Sequence, residues 1–544
     1  MPENETVRFT GKTLSPGMGK GHIFLYRDVF KKLDEFYDVE EDQIDEELSR
    51  FANALSHVSG ELNKLAGHVE KEMDSNLSDV FRAHATILDD DSLKDEVIHK
   101  IREELISAGS AVRAVFRQWE RRFKAMDADV SRQKADDIRD LAQRLVSSLA
   151  GIREHSLENL PQGCVLVANR LLPSDTIFLA RRNAAAVVLE IGGVGSHAAL
   201  FAHEIGLPCV AGFENIVHRV APGDRVLVDA DASEVIVHPG REDEAAFDEK
   251  LEKRERSIAL ARRNAMEPAT TQAGTTVPVF ANVGGQDDTR AAIENGADGV
   301  GLYRLERVYL GRQEPPDTQA LLDEMRQTLE PAKGLPVYVR LLDTGADKPL
   351  LFMEKLSEIN PSLGLRGIRF LKKYPELLQT QLDALLQLSV DFDVHILVPM
   401  VTLPRDMQWV RELLNKIAAE KGLSNIPPLG AMIETPGAAL AARDLVEYAD
   451  FMSFGTNDLT QYTFAADREN AAVDAYFDDT HEAIFRLIKT VHEDVPTVPL
   501  SICGELAGRA AVTSRILKCG ITTLSVAPPS ISVIKQAVRQ SGEG

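Results

Sequence analysis

The chain has 544 residues, 44% of them hydrophobic and 27% charged, with a formal net charge of −23. That length supports two to four domains, and so acidic a chain lacks the basic face that nucleic-acid or anionic-membrane binding needs. Four cysteines without metal-type spacing, and the lack of any run of 18 apolar residues, read as a cytoplasmic protein without disulfides or membrane spans.

In chain order, GHIFLYRDV at 21–29 predicts a short strand. From 34 to 150 proline is absent and the pattern is helical. Ile44, Leu48, Phe51, Leu55, Val58 and Leu62 form one apolar seam. Val112, Val115, Phe116, Trp119 and Phe123 form a second, and Ile138, Leu141 and Leu145 a third, so a helical bundle is expected. From 151 to 238, CVLVA, AAAVVLE and RVLVDA read as buried strands of a small α/β domain. Residues 1–33 would join it, leaving the bundle as an insertion. The charged stretch within 239–268 reads as a linker helix. From 269 to 544 eight apolar strands recur with helical stretches between them: VPVFANV, DGVGLYR, PVYVRLLD, VHILVPMV, LGAMIET, DFMSFGTND, VPLSICGEL and TLSVAP. Eight β/α units of this length predict a (β/α)8 barrel with its active site at the C-terminal strand ends.

Polar residues collect where that rule places a site. Arg304 and Glu306 follow strand two; Arg340, Asp343 and Lys348 follow strand three; Glu434 ends strand five; Asn457 and Asp458 end strand six; Cys503 ends strand seven. Arg366 and Arg468 lie in the loops after strands three and six. A lone arginine at a strand end is more often structural, but the joint pattern is not. Arginines clamp carboxylate and phosphate bidentately, and two carboxylates with substrate oxygens suit Mg²⁺. The set fits a small molecule carrying both a carboxylate and a phosphate. Cys503, with an ordinary thiol pKa near 8.5, could protonate a carbon. His197 follows a glycine-rich turn, IGGVGSHAAL, at a helix start. A neutral imidazole there is a competent nucleophile.

The segments GTNDLTQYTFAADREN, SICGELAG, AMIETPGAA, NPSLGLRGIR, LSPGMGKG and LPSDT resemble the signatures of enzyme I of bacterial phosphoenolpyruvate:sugar phosphotransferase systems, over essentially the whole chain. The resemblance implies a multidomain α/β protein: a TIM barrel plus a small swivelling phosphohistidine domain with an inserted helical bundle. It implies that phosphoenolpyruvate binds Arg304, Arg340, Asn457, Asp458 and Arg468, with Lys348 and Arg366 in the same set. Mg²⁺, or Mn²⁺ in its place, would sit on Glu434 and Asp458. His197 would take the phosphoryl group, Cys503 would protonate the leaving enolate, and an HPr-like histidine phosphocarrier would receive the phosphoryl group. A homodimer through the barrels is implied, with no nucleic-acid or membrane partner. The carrier would dock on the bundle, where Ile87, Asp89, Asp90, Asp91 and Leu93 form an acidic, partly apolar candidate patch; a solvated helix end would look the same.

The sequence departs from the family pattern at several positions. Val194 stands for an Arg, and Gly195, Ala198, Leu172, Leu305 and Leu341 stand for Thr. A hydrogen bond to a charged group contributes roughly 1.5–3 kcal/mol, so these losses bear on rate. Two alternatives remain: a regulatory, non-transport relay or low-activity scaffold binding a carrier, and a dikinase or phosphoenolpyruvate synthase relative. The second needs a nucleotide-binding domain for which the chain has no room.

Overall fold

The computed structural model describes residues 6–26, 39–72, 75–125, 129–150, 157, 160–172, 175, 179, 184–192, 199, 201–202, 205–309, 312–345, 350, 352–353, 358–468, 470 and 473–542. The chain divides into two compact units, the first holding Met1–Leu251 and the second Glu252–Arg468 and Ala472–Gly544.

The first unit is built on a mixed sheet. Its strands are β1 (Val7–Thr10), β2 (Lys12–Ser15), β3 (Met18–Tyr26), β4 (Val165–Ala168), β5 (Ala186–Leu189), β6 (Cys209–Ala211), β7 (Arg225–Asp229) and β8 (Glu234–Val237), in the order β1-β8-β7-β3-β4-β5-β6-β2. Strands β3 to β6 run parallel, with Ile23 opposite Val165 and Val165 opposite Ala186. β4 and β5 are buried along their whole length, as parallel strands covered on both faces must be. Strands β1, β2, β6 and β8 escaped the sequence reading. They are three or four residues long, too short for alternation to register.

Between β3 and β4 the chain runs through α1 (Ile44–Glu72), α2 (Ser75–Leu88), α3 (Asp91–Glu104), α4 (Ala108–Ala125) and α5 (Asp129–Leu149). The three seams meet as expected: Phe51, Val58, Leu62, Val112, Val115, Phe116, Ile138, Leu141 and Leu145 are all buried. Their core is continuous with Leu166, Ala168, Val187 and Leu189 of the sheet, so bundle and sheet share one apolar interior. Helix α6 (Arg241–Arg263) follows β8. Its first half lies on the sheet through Phe247 and Leu251, flanked by Lys20–Asp248, Arg225–Glu244 and Lys250–Asp229 ion pairs.

The second unit is a closed parallel barrel of β9 (Val279–Val283), β10 (Val300–Arg304), β11 (Pro336–Arg340), β12 (Asp393–Val398), β13 (Leu429–Ile433), β14 (Phe451–Phe454), β15 (Leu500–Ile502) and β16 (Thr523–Val526). All eight strand segments read from the sequence are present. Leu302, Leu397, Met432, Phe451 and Cys503 form an interior cluster. Helical side chains such as Leu321, Leu382, Leu414 and Ile488 join the outward strand residues in the main core. Among the described residues no helix is long and apolar enough to cross a membrane.

Candidate active site

Parallel strands of a barrel all end on one rim, and the register here brings distant residues level. Arg304 pairs with Arg340 at the last positions of β10 and β11. Glu434 follows β13 directly. Gly455 follows β14 and opens α7 (Thr456–Phe464), which carries Asn457 and Asp458. Cys503 follows β15 and donates its backbone N–H to the Phe454 carbonyl at 3.0 Å. The spacing is tight. A Cβ on Gly455 would come 2.7 Å from Glu434 Cγ and Oε1, and one on Gly504 would come 1.9 Å from Thr456 Oγ1. Only glycine lets these strand ends close around the carboxylates.

Four carboxylates and two guanidinium groups interlock below the rim. Glu306 Oε1 accepts from Arg340 Nη2 and from the Asp343 N–H, both at 2.9 Å. Arg340 Nη1 lies 3.4 Å from Asp343 Oδ2 and 4.0 Å from Glu434 Oε1. Arg366 donates to Asp343 through Nε at 3.2 Å and Nη2 at 3.0 Å. Its other edge meets Asp458 through Nη1 and Nη2, both at 2.9 Å. Glu434 Oε2 accepts the Met400 N–H at 2.8 Å, with Met400 held in the left-handed region at φ 54°, a strained conformation of the kind that gathers at functional sites.

The charges tune one another. Burial, with the nearby Asp458 and Asp343 charges, pushes the Glu434 carboxyl up to about 8. Burial also opposes charge on Asp458, but Arg366 and Arg468 more than offset it and hold that carboxyl below its usual range. Burial opposes charge on Arg340 and Arg366, and the flanking carboxylates keep both firmly protonated. Fully ionised, the network carries two negative charges in excess. A divalent cation matches that deficit, and an all-oxygen pair of carboxylates suits Mg²⁺. Among the described residues no cluster of three or more His, Cys, Asp or Glu forms a metal cage. Mg²⁺ does not need one, because it keeps water and substrate oxygens in its shell.

Cys503 corrects one expectation. Its thiol does not sit near 8.5: burial pushes it up to about 11. Sγ lies 3.5 Å from the Phe454 carbonyl and 3.6 Å from Ser453 Oγ. It is a held proton, not a titrating one.

The other candidates fall as follows. Arg304 is exposed at the rim. Asn457 and Glu505 exchange hydrogen bonds, Nδ2 to Oε1 at 3.2 Å and the Glu505 N–H to Oδ1 at 3.0 Å. Arg468 is half-buried, and its backbone N–H donates to Gln461 Oε1 at 3.2 Å. His197, Val194, Gly195, Ala198 and Lys348 lie outside the described residues. Leu305 and Leu341 are fully buried in the barrel's main core, so these two departures are absorbed in the wall and not in the site. Leu172 is buried, its N–H bound to Asp175 Oδ2 at 2.8 Å. In the bundle, Asp89 and Asp91 are exposed beside Lys94. Asp90 caps α3, accepting from the Ser92 and Leu93 N–H groups at 2.8 and 3.3 Å. Leu93 is fully buried and so contributes to the bundle core, not to a surface. Sequence reasoning noted Glu306 and Asp343 without giving them a role, and missed Tyr462 and Asn282, whose Nδ2 bonds the Cys503 carbonyl at 3.0 Å.

Comparison with known proteins converges on one group. Three family models match: PEP-utilising enzyme, PEP-binding domain, over 259–542; the N-terminal domain of the same enzymes over 10–134; and their mobile domain over 160–233. A Staphylococcus carnosus protein is 33% identical over 506 residues, covering 92% of this chain and 88% of its own length. One from Bacillus subtilis is 33% identical over 494 residues, covering 89% and 86%. One from Haemophilus influenzae is 31% identical over 542 residues, covering 97% and 93%. All three are named phosphoenolpyruvate-protein phosphotransferase. With near full-length similarity and a barrel that gathers an arginine-rich, carboxylate-lined rim, this chain belongs to the phosphoenolpyruvate-protein phosphotransferase family.

Proposed function

We propose that the chain transfers the phosphoryl group of phosphoenolpyruvate to His197 and then to an HPr-like histidine phosphocarrier, releasing pyruvate as the first step of a phosphotransferase system. The observation that carries this reading is the rim, where Arg304 and Arg340 stand level on adjacent strands above a buried carboxylate network. The substrate brings a carboxylate and a phosphate. Arg304, Arg340 and Arg468 supply guanidinium donors for both, and Asn457 adds an amide. As the phosphorus–oxygen bond to the enol breaks, charge spreads over the phosphoryl oxygens, and fixed cationic donors stabilise it. The imidazole of His197 forms the new nitrogen–phosphorus bond. The enolate carbon takes the Cys503 proton, and the thiolate regains one from solvent. A thiol held up at about 11 keeps its proton at neutral pH and yields it only to a strongly basic carbon. Glu434 and Asp458 would hold Mg²⁺ or Mn²⁺, which when bound adds positive charge at the phosphoryl oxygens.

The exposed Asp89 and Asp91 beside Ile87 support docking of a basic carrier. Exposed Leu363, Leu403 and Leu440 support a barrel-mediated homodimer. Arg369 bonds the Leu363 carbonyl at 3.0 Å and Thr402 Oγ1, next to Leu403, at 3.2 Å. Four free thiols and a net charge of −23 support a cytoplasmic setting. Incubation with radiolabelled phosphoenolpyruvate, Mg²⁺ and an HPr-like carrier tests the reading. Label should pass through wild type to the carrier and be lost in His197→Ala; unlabelled wild type would refute it.

A further inference from the structure

The Arg366 guanidinium has five N–H donors, and the structure accounts for every one. Nε–H goes to Asp343 Oδ1 and one Nη2–H to Asp343 Oδ2, at 3.2 and 3.0 Å. The other Nη2–H goes to Asp458 Oδ2 and one Nη1–H to Asp458 Oδ1, both at 2.9 Å. The last Nη1–H points to Tyr462 Oη at 3.4 Å. No donor is left to meet a substrate oxygen. Each oxygen of Asp458, half of the carboxylate pair assigned to the cation, accepts one bond of this fork. The whole arrangement is buried: Arg366, Asp343 and Asp458 side chains are 6%, 2% and 8% exposed.

We propose that Arg366 stands in the cation's place on Asp458 in the free protein, and that Asp343 is the positioning residue that receives the guanidinium when a divalent cation arrives. The inference rests on the metal reading of Glu434 and Asp458. Two features favour it over a static ion-pair network. Asp343 binds the guanidinium bidentately along the Nε–Nη2 edge, so Arg366 keeps a charged partner after leaving Asp458. The Asp343 backbone is also pinned by Glu306 at 2.9 Å, so the receiving carboxylate stays fixed while the fork turns. A buried guanidinium is thereby never left unpaired, which would be strongly destabilising. Cation entry is then an exchange of one positive charge for another on Asp458.

The test is Mn²⁺ binding without substrate, followed by electron paramagnetic resonance, in wild type, Arg366→Lys, Asp343→Asn and Glu434→Gln. Lysine keeps the charge but cannot fork across both oxygens, so Arg366→Lys should bind Mn²⁺ about tenfold tighter. Asp343→Asn removes the receiving charge and should bind it about tenfold weaker, within the range that outer-shell changes produce. Opposite signs at near-constant fold stability are a signature that a purely structural role does not give. Equal Mn²⁺ affinity in wild type and both variants, or weaker binding in Arg366→Lys, overturns the exchange while leaving the metal site standing. Wild type that binds no Mn²⁺, or binding unchanged in Glu434→Gln, overturns the metal reading itself. If Arg366→Lys does not fold, the Asp343→Asn result decides, and unchanged affinity there overturns the exchange.

Discussion

The barrel rim and the edge of the sheet where β5 ends are both C-terminal ends of parallel strands, yet they are built from opposite materials. The rim buries four carboxylates and two guanidinium groups, and each takes part in hydrogen bonds or ion pairs between residues tens of positions apart. The sheet edge is apolar: Val187, Val188 and Leu189 are fully buried. Its polar group there, Glu190, accepts from Asn169 Nδ2 and from the Val217 N–H. A fixed electrostatic cradle must hold charge in place before substrate arrives, and that placement opposes stability. Apolar burial instead gives that edge a firm, close-packed base.

Cys503→Ala is the largest perturbation of the rim side. On the proposed mechanism, removing the proton donor should lower pyruvate release by roughly 10²–10⁴-fold with substrate affinity little changed, as stopped-flow assay of pyruvate and equilibrium binding would report; normal release removes Cys503 from the chemistry. In wild type the alkaline limb of that rate should lie above pH 10, because the thiol sits at about 11. A limb near 8.5 would contradict the burial argument.

The bundle should respond oppositely to the rim. Leu93→Ala empties a fully buried position and should cost roughly 2–5 kcal/mol in urea unfolding, with phosphoryl uptake from phosphoenolpyruvate unaffected in the molecules that remain folded. Glu434→Gln should instead stabilise the metal-free chain. The folded carboxyl sits at about 8, above its unfolded value, so the native glutamate favours the fold at low pH and loses that advantage as pH rises through 8. The gain in melting temperature should therefore be small at pH 5, grow to about pH 8 and level off; a gain that shrinks with pH would reverse the assignment. The smallest effect belongs to Asp89→Asn with Asp91→Asn. It should raise the KM for a basic carrier by about threefold, more at low salt, through association rate, and leave melting unchanged.

Much of this was legible along the chain. Helix seams such as Phe51–Val58–Leu62 and apolar strands such as LGAMI declare themselves by period and length, because burial acts locally on every residue. Arg304, Arg340, Glu434, Asp458 and Cys503 were visible as polar residues breaking apolar runs at strand ends. Leu93 is not legible along the chain, because an apolar residue beside three aspartates looks the same whether it faces solvent or, as here, the bundle interior.

The sequence alone determined the architecture and the strand-end placing of the charged groups, since periodicity and strand-end position are one-dimensional properties. Only the tertiary structure decided which charges meet. Arg366 finds Asp458 across 92 positions and Arg340 finds Glu306 across 34, and Cys503 acquires its raised pKa from burial in the barrel interior. Electrostatics depends on distance and desolvation in space, and neither is written in the order of the residues.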